Sequence, residues 1–197
     1  MSVFITRRPD SSSYRLAKLK YSMLAQGTNI ANFHASFDQQ AVRNSVFREL
    51  ANLHNAEAHS FWLSKSDSRL SAPDTPLIYG LLAEAISAHL VSSLDYLKMS
   101  SLVLVFDKAL HIRDEKAVRA KLKPQLLRTK IPFHIYFHNV SKDFNGQVAD
   151  YIAWAHYVAL ERQEFRPRDA LPSNLAVATN LLDAVMGLAP SNPQPIN

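Results

Sequence analysis

Ser101-Leu102-Val103-Leu104-Val105-Phe106-Asp107 is a continuous apolar run that stops abruptly at a carboxylate. A run of this length and composition reads as a strand covered on both faces, the usual state of a strand in a parallel sheet. Downstream, Arg113–Arg128 has the period of an amphipathic helix with a basic outer face. Pro132 then opens a second, aromatic strand, Phe133–His138, and a helix runs from Asp143 to about Gln163. Upstream, Pro76 sits at the first turn of a long helix to about Leu97 that is apolar on more than one side. The polar loop Lys65–Thr75 separates that helix from Ala56–Ser64, an alternating, aromatic-rich strand.

Nearer the N-terminus, Asp38 reads as the N-cap of a helix to about Leu53 that buries Val42, Val46, Phe47 and Leu50. Ile30–His34 is a short extended piece. Asp10 or a following serine caps a helix over Ser12–Gln26, with Leu16, Leu19, Met23 and Leu24 as its apolar face and Gly27 as its stop. Ser2–Thr6 is too brief to stand alone as a strand. A weaker helix spans Asp169–Leu188, and the proline-rich Ala189–Asn197 is expected to be a disordered tail. Strand and helix alternate, which predicts an α/β domain with parallel strands and right-handed crossovers. One domain is expected over residues 1–188.

The chain has 197 residues, a net charge of +5 and no cysteine, which excludes a disulfide framework and a thiolate zinc site. No apolar run approaches the ~18–20 residues that span a bilayer, and the N-terminus lacks the layout of a signal peptide. The expectation is a soluble, cytoplasmic protein that meets no membrane. A basic balance favours polyanions, nucleic acid first, although a solvated helix face explains Arg113, Lys116, Arg119, Lys121, Lys123, Arg128 and Lys130 as well.

In a parallel sheet the C-terminal strand ends share one edge with the starts of the following helices, and ligands bind there. Asp107 ends one strand. Asp143, Gln147 and Asp150 form one polar stripe in the first turns of the helix after the next strand. Asp143 reads as a helix cap. Asp150 has no local structural task, so Asp107 and Asp150 together read as functional. Converging carboxylates without thiols suit Mg²⁺ or Mn²⁺. His34 could be a ligand, a proton shuttle or a phosphate contact, or could simply satisfy a nearby carbonyl. His134 and His138 share one strand face, without a third ligand to make a zinc site. Trp62, Tyr136, Trp154 and Tyr157 read as core. There is no glycine-rich phosphate loop, no Gly-x-Ser-x-Gly elbow and no His-Glu-x-x-His.

Phe33-His34-Ala35, then Asp38-Gln39-Gln40-Ala41-Val42-Arg43, then Ser101–Asp107, then Ser141-Lys142-Asp143 through Gln147-Val148-Ala149-Asp150-Tyr151-Ile152-Ala153 together resemble the family called domain of unknown function 3800. The resemblance covers about residues 14–164. It implies a ribonuclease-H-like mixed sheet flanked by helices, an acidic metal site and a nuclease-like activity in mobile-element or phage settings. It places Asp107 at the strand-end acidic position, Asp150 with Gln147 at the acidic position of the final helix, and His34 at the Phe-His position, with Asp38 and Asp143 nearby. Family members open with a strand ending in Asp-Glu-Ser-Gly or Asp-Asp-Ser-Gly, which nothing here matches. The resemblance therefore implies that Met1 falls after that motif and that the first strand or strands are missing. Sheet edge would then be exposed to a protein partner or a second copy.

The expected function is metal-dependent phosphodiester hydrolysis, in an active, truncated or inactive form, with His34, Asp107 and Asp150 as the reacting groups. The alternative is a non-catalytic nucleic-acid- or protein-binding member of the same fold.

Overall fold

A computed structural model of the chain describes residues 1–64, 74–97, 99–108 and 110–185. Among them the order is β1 (Ser2–Thr6), α1 (Pro9–Ala25), α2 (Gln40–Leu50), β2 (Ala56–Trp62), α3 (Thr75–Leu97) and β3 (Leu102–Asp107). There follow α4 (Ile112–Arg128), β4 (Phe133–His138), α5 (Phe144–Arg162), the single turn α6 (Arg166–Asp169), β5 (Val177–Asn180) and α7 (Leu181–Val185). The protein is mixed α/β, with a three-stranded sheet ordered β1-β2-β5 and a two-stranded sheet β3-β4. No helix among the described residues is long and apolar enough to cross a membrane. The polar loop 65–75 lies outside the described residues except at its end, and so does the tail 189–197.

The chain divides into two compact units, Met1–Ser60 with Asn139–Ala178, and Phe61–His138 with Thr179–Asn197. In the first unit, α1, α2, β2 and α5 enclose one core of Leu16, Phe33, Val46, Phe47, Leu50, Tyr151 and Ile152. The helical faces expected of α1 and α2 supply it. Val42, Val46, Phe47 and Leu50 are all buried, as are Leu16 and Met23. Leu24, by contrast, is exposed. Asn145 ties the start of α5 to the start of α1, donating to the Pro9 carbonyl at 3.3 Å and to Ser13 Oγ at 3.1 Å.

In the second unit, α3 packs along α4, burying Leu82, Ile86 and Leu90 with Val118, Leu122 and Leu126. β3 and β4 pair in parallel, Leu102 opposite Phe133 through Asp107 opposite His138. α4 is the crossover between them, as the alternation of elements required.

Several expectations are overturned. Ser2–Thr6 is a strand, because antiparallel pairing to β2 supplies the ladder that so short a segment needs. That pair is antiparallel, so parallel pairing holds for β3–β4 and not for β1–β2. Ile30–His34 has no strand partner among the described residues and forms a loop. β3 is not covered on both faces: Val103 is 58% and Val105 43% exposed. Tyr136 and Tyr157 are also exposed and so are not core. The helix expected over Asp169–Leu188 is not continuous: α6 ends at Asp169, and β5 and α7 follow up to residue 185, the remaining three residues lying outside the described ones. Pro172 and the Asn174 side chain, bonded to the Leu53 and Ala56 carbonyls, favour a turn and a short strand there. α1 starts a turn early, with Pro9 in its first turn rather than a capping Asp10.

Gly146 lies in α5 against the 3-10 turn Val140–Lys142. A Cβ at this position would stand 2.9 Å from Val140 Cγ1. Valine is short and stiff, so it cannot yield cheaply. Gly146→Ala is therefore expected to destabilise. Overpacking of ~1–3 kcal/mol outweighs the ~1 kcal/mol gained in helix propensity. Thermal denaturation checks this, and the added substitution Val140→Ala should restore the loss.

Candidate functional site

α5 begins where its sequence says it should. Asp143 is the N-cap, its Oδ1 accepting the Asn145 N–H at 2.9 Å. The cap reading of Asp143 therefore holds. One turn on, Gln147 is buried. Its Oε1 accepts the Phe33 N–H at 3.0 Å and its Nε2 donates to the Ser141 carbonyl at 3.0 Å. Three residues later, Asp150 Oδ2 accepts the Ala35 N–H at 3.0 Å. Helical spacing thus sets two acceptors against alternate amides of the Phe33-His34-Ala35 loop. These amides have no strand or helix partner, and buried N–H groups need one. Asp150 therefore has a structural task that its sequence neighbourhood did not reveal.

Asp38 completes the loop. It does not cap α2, whose N-cap is Gln39 without a side-chain bond. Its Oδ2 accepts the His34 N–H at 2.9 Å and the Tyr151 hydroxyl at 2.5 Å. Tyr151 is fully buried. Burial first, then the hydrogen bond and charge of Asp38, push its phenol far above the ordinary tyrosine range, so it stays protonated and donates. Arg43 closes the far side, with Nη1 on the carbonyls of Ala35 at 3.1 Å and Asp38 at 2.6 Å. Its guanidinium lies 5.0 Å from the centre of the Trp154 ring. Arg43 and Tyr151 were not singled out as site residues. Their signal is combinatorial, a cation and a phenol whose partners are distant in sequence.

This cage presents His34. Its side chain is 42% exposed, and Nδ1 stands 3.5 Å from Asp150 Oδ2 and 3.1 Å from Ser36 Oγ. Both oxygens approach the same nitrogen. A Ser-His-Asp relay needs the serine on one ring nitrogen and the carboxylate on the other, so Ser36 is not a nucleophile activated by His34. The Asp150 carboxylate on the Nδ1 side favours the tautomer with its proton on Nδ1, while the Ser36 hydroxyl can serve either one. Phe37, 83% exposed, meets the imidazole edge-on at 4.5 Å.

Asp107 lies in the second unit, at the exposed C-terminal end of β3. Tyr79 of α3 senses it. Burial raises the Tyr79 phenol, and the carboxylates of Asp114 and Asp107 raise it further. Asp114, buried in the first turn of α4, is an acidic neighbour that sequence reading passed over among basic residues. Among the described residues no three His, Cys, Asp or Glu side chains gather as a metal-holding group. His134 and His138 do share a strand face, both exposed. On α4, Arg119 lies over the Phe137 ring and bonds the Ile135 carbonyl, and Lys121 pairs with Glu84 at 3.0 Å, so part of the basic face serves the fold.

Comparison with protein-family models, curated proteins and solved structures finds no match for this chain.

Proposed function

We propose that the protein is a nuclease-like hydrolase of phosphodiesters, with His34 and Asp150 as its reacting pair. The observation behind this reading is the half-exposed imidazole with Nδ1 3.5 Å from a carboxylate oxygen. Asp150 orients the ring from the Nδ1 side. His34 Nε2 takes the proton of an attacking water or, once protonated, binds a phosphate oxygen. Gln147 and Asp38 fix the loop, so the imidazole is positioned before substrate arrives.

Mg²⁺ or Mn²⁺ fits one feature of this donor set. Asp150 keeps a second carboxylate oxygen beyond the Ala35 amide, and such ions are commonly held by one or two carboxylates, water and substrate phosphate. Asp107, at the end of β3 in the second unit, is a separate acidic candidate. A divalent ion held by Asp150 would polarise the phosphate.

Labelled single- and double-stranded DNA and RNA, incubated with the intact chain and Mg²⁺ or Mn²⁺, test the proposal. His34→Ala and Asp150→Asn should each lower cleavage by about 100-fold or more, and a chelator should stop it. Asp107→Asn tests the acidic candidate of the second unit by itself. Cleavage untouched by His34→Ala and Asp150→Asn, or absent on every substrate, would overturn the assignment. A non-catalytic nucleic-acid-binding role is the second reading. It is favoured by the lack of a three-ligand metal group among the described residues.

A further inference from the structure

The β3–β4 sheet has two unlike faces. Leu104 is buried on one, with Phe133, Ile135 and Phe137 half-buried. The other carries Val103, Val105 and Asp107 of β3 opposite His134, Tyr136 and His138 of β4, in register and all exposed. A parallel sheet is ordinarily covered on both faces. An open one this rich in rings is unusual.

The rings are ordered. His134 and Tyr136 stack with centroids 6.0 Å apart and planes within 16°. Tyr136 and His138 follow at 5.4 Å and 33°. Alternate residues on a strand advance ~6.6–6.8 Å, about twice the ~3.4 Å step between bases along a nucleic-acid strand. The ladder therefore matches a strand of bases at every second step. Exposed Lys130 precedes β4, and exposed Lys108, whose N–H bonds the His138 carbonyl, follows β3. Asp107 is the acid on this face. The net charge of +5 favours a polyanion.

A second copy of the chain suits the face less well. Its apolar part is Val103, Val105 and the Tyr136 ring, far short of the ~800 Å² per partner that a stable interface buries. We infer that the open face of the β3–β4 sheet binds single-stranded nucleic acid, with bases stacking on Tyr136 between His134 and His138. Aromatic side chains on an open sheet face are a general solution for holding unpaired bases. The inference rests on the nucleic-acid part of the proposed function and not on hydrolysis.

The test is fluorescence anisotropy of labelled oligo-dT and oligo-U, and of the matching duplexes, with the intact chain in chelator so that cleavage plays no part. Single strands should bind more tightly than duplexes. Tyr136→Ala should weaken binding by at least about fivefold, while Tyr136→Trp should keep it, since stacking contributes ~1–3 kcal/mol per base. Tyr136 is exposed, so unchanged thermal unfolding should accompany both variants. Equal binding by Tyr136→Ala, no single-strand binding, or equal affinity for duplexes would overturn the inference. So would a dimer in sedimentation that Tyr136→Lys dissolves, which would assign the face to self-association. Cleavage lost in Asp150→Asn with binding untouched by Tyr136→Ala would leave the hydrolase standing and remove the platform. The opposite pattern would do the reverse.

Discussion

Replacing Gln147 with leucine is expected to destabilise the first unit by about 2–4 kcal/mol. Leucine fills much of the same space but leaves two groups behind. The Phe33 N–H, on a residue 1% exposed, loses its acceptor, and the Ser141 carbonyl loses its donor. A stranded buried donor costs ~1–3 kcal/mol, and the second lost bond adds about 1. Gln147→Glu separates the two contributions. It can still accept from Phe33, but it offers the Ser141 carbonyl a negative oxygen in place of a donor. Chemical denaturation gives the loss, and amide exchange at Phe33 locates it. A loss below about 0.5 kcal/mol for Gln147→Leu, with Phe33 still protected, would mean that the amide has another acceptor.

The second large effect depends on pH. His156 of α5 is 5% exposed, and its Nε2 has no hydrogen-bond partner among the described residues. Burial lowers its pKa to about 4, with help from the positive charges of Arg168 and the chain's amino terminus. An unfolded histidine titrates near 6.5. Between those values the unfolded chain binds a proton that the folded chain refuses, so stability rises with pH there. The contribution is complete above about pH 6.5 and is lost as the pH falls towards 4. It amounts to roughly 3 kcal/mol at about 1.4 kcal/mol per pH unit. His156→Leu should flatten the acid limb of the stability curve by that amount. Parallel curves for the two proteins between pH 4 and 7 would show that the imidazole is protonated in place.

The elements that could be read in the sequence carry strong local signals. The Asp143 cap, the buried faces of α1 and α2, Pro76 at the start of α3 and the aromatic strand after Pro132 all fall where their residues direct. Ser2–Thr6 was missed because its pairing lies more than fifty residues away, from Ser2 opposite Ser60. Alternation in Ser101–Asp107 was hidden because every residue from Leu102 to Phe106 is apolar, so no polar side chain marks the outward positions. The candidate site was legible as residues but not as roles. The stripe on α5 is there, yet Gln147 and Asp150 bind the main chain of a loop more than a hundred residues upstream. Asp38 has the composition of a cap and the partners of a cross-brace, because Tyr151 reaches it from another helix.

The loop at His34 is gripped by its amides. Phe33, His34 and Ala35 each hand a backbone N–H to a fixed side chain, and Arg43 holds the carbonyls. Such a mount is indifferent to which residues occupy positions 34 and 36. Cysteine, lysine or glutamate could be installed there with the backbone unmoved, which makes this turn a socket for retooled chemistry. By the same logic, one substitution at this turn could change its chemistry without dismantling the fold that carries it.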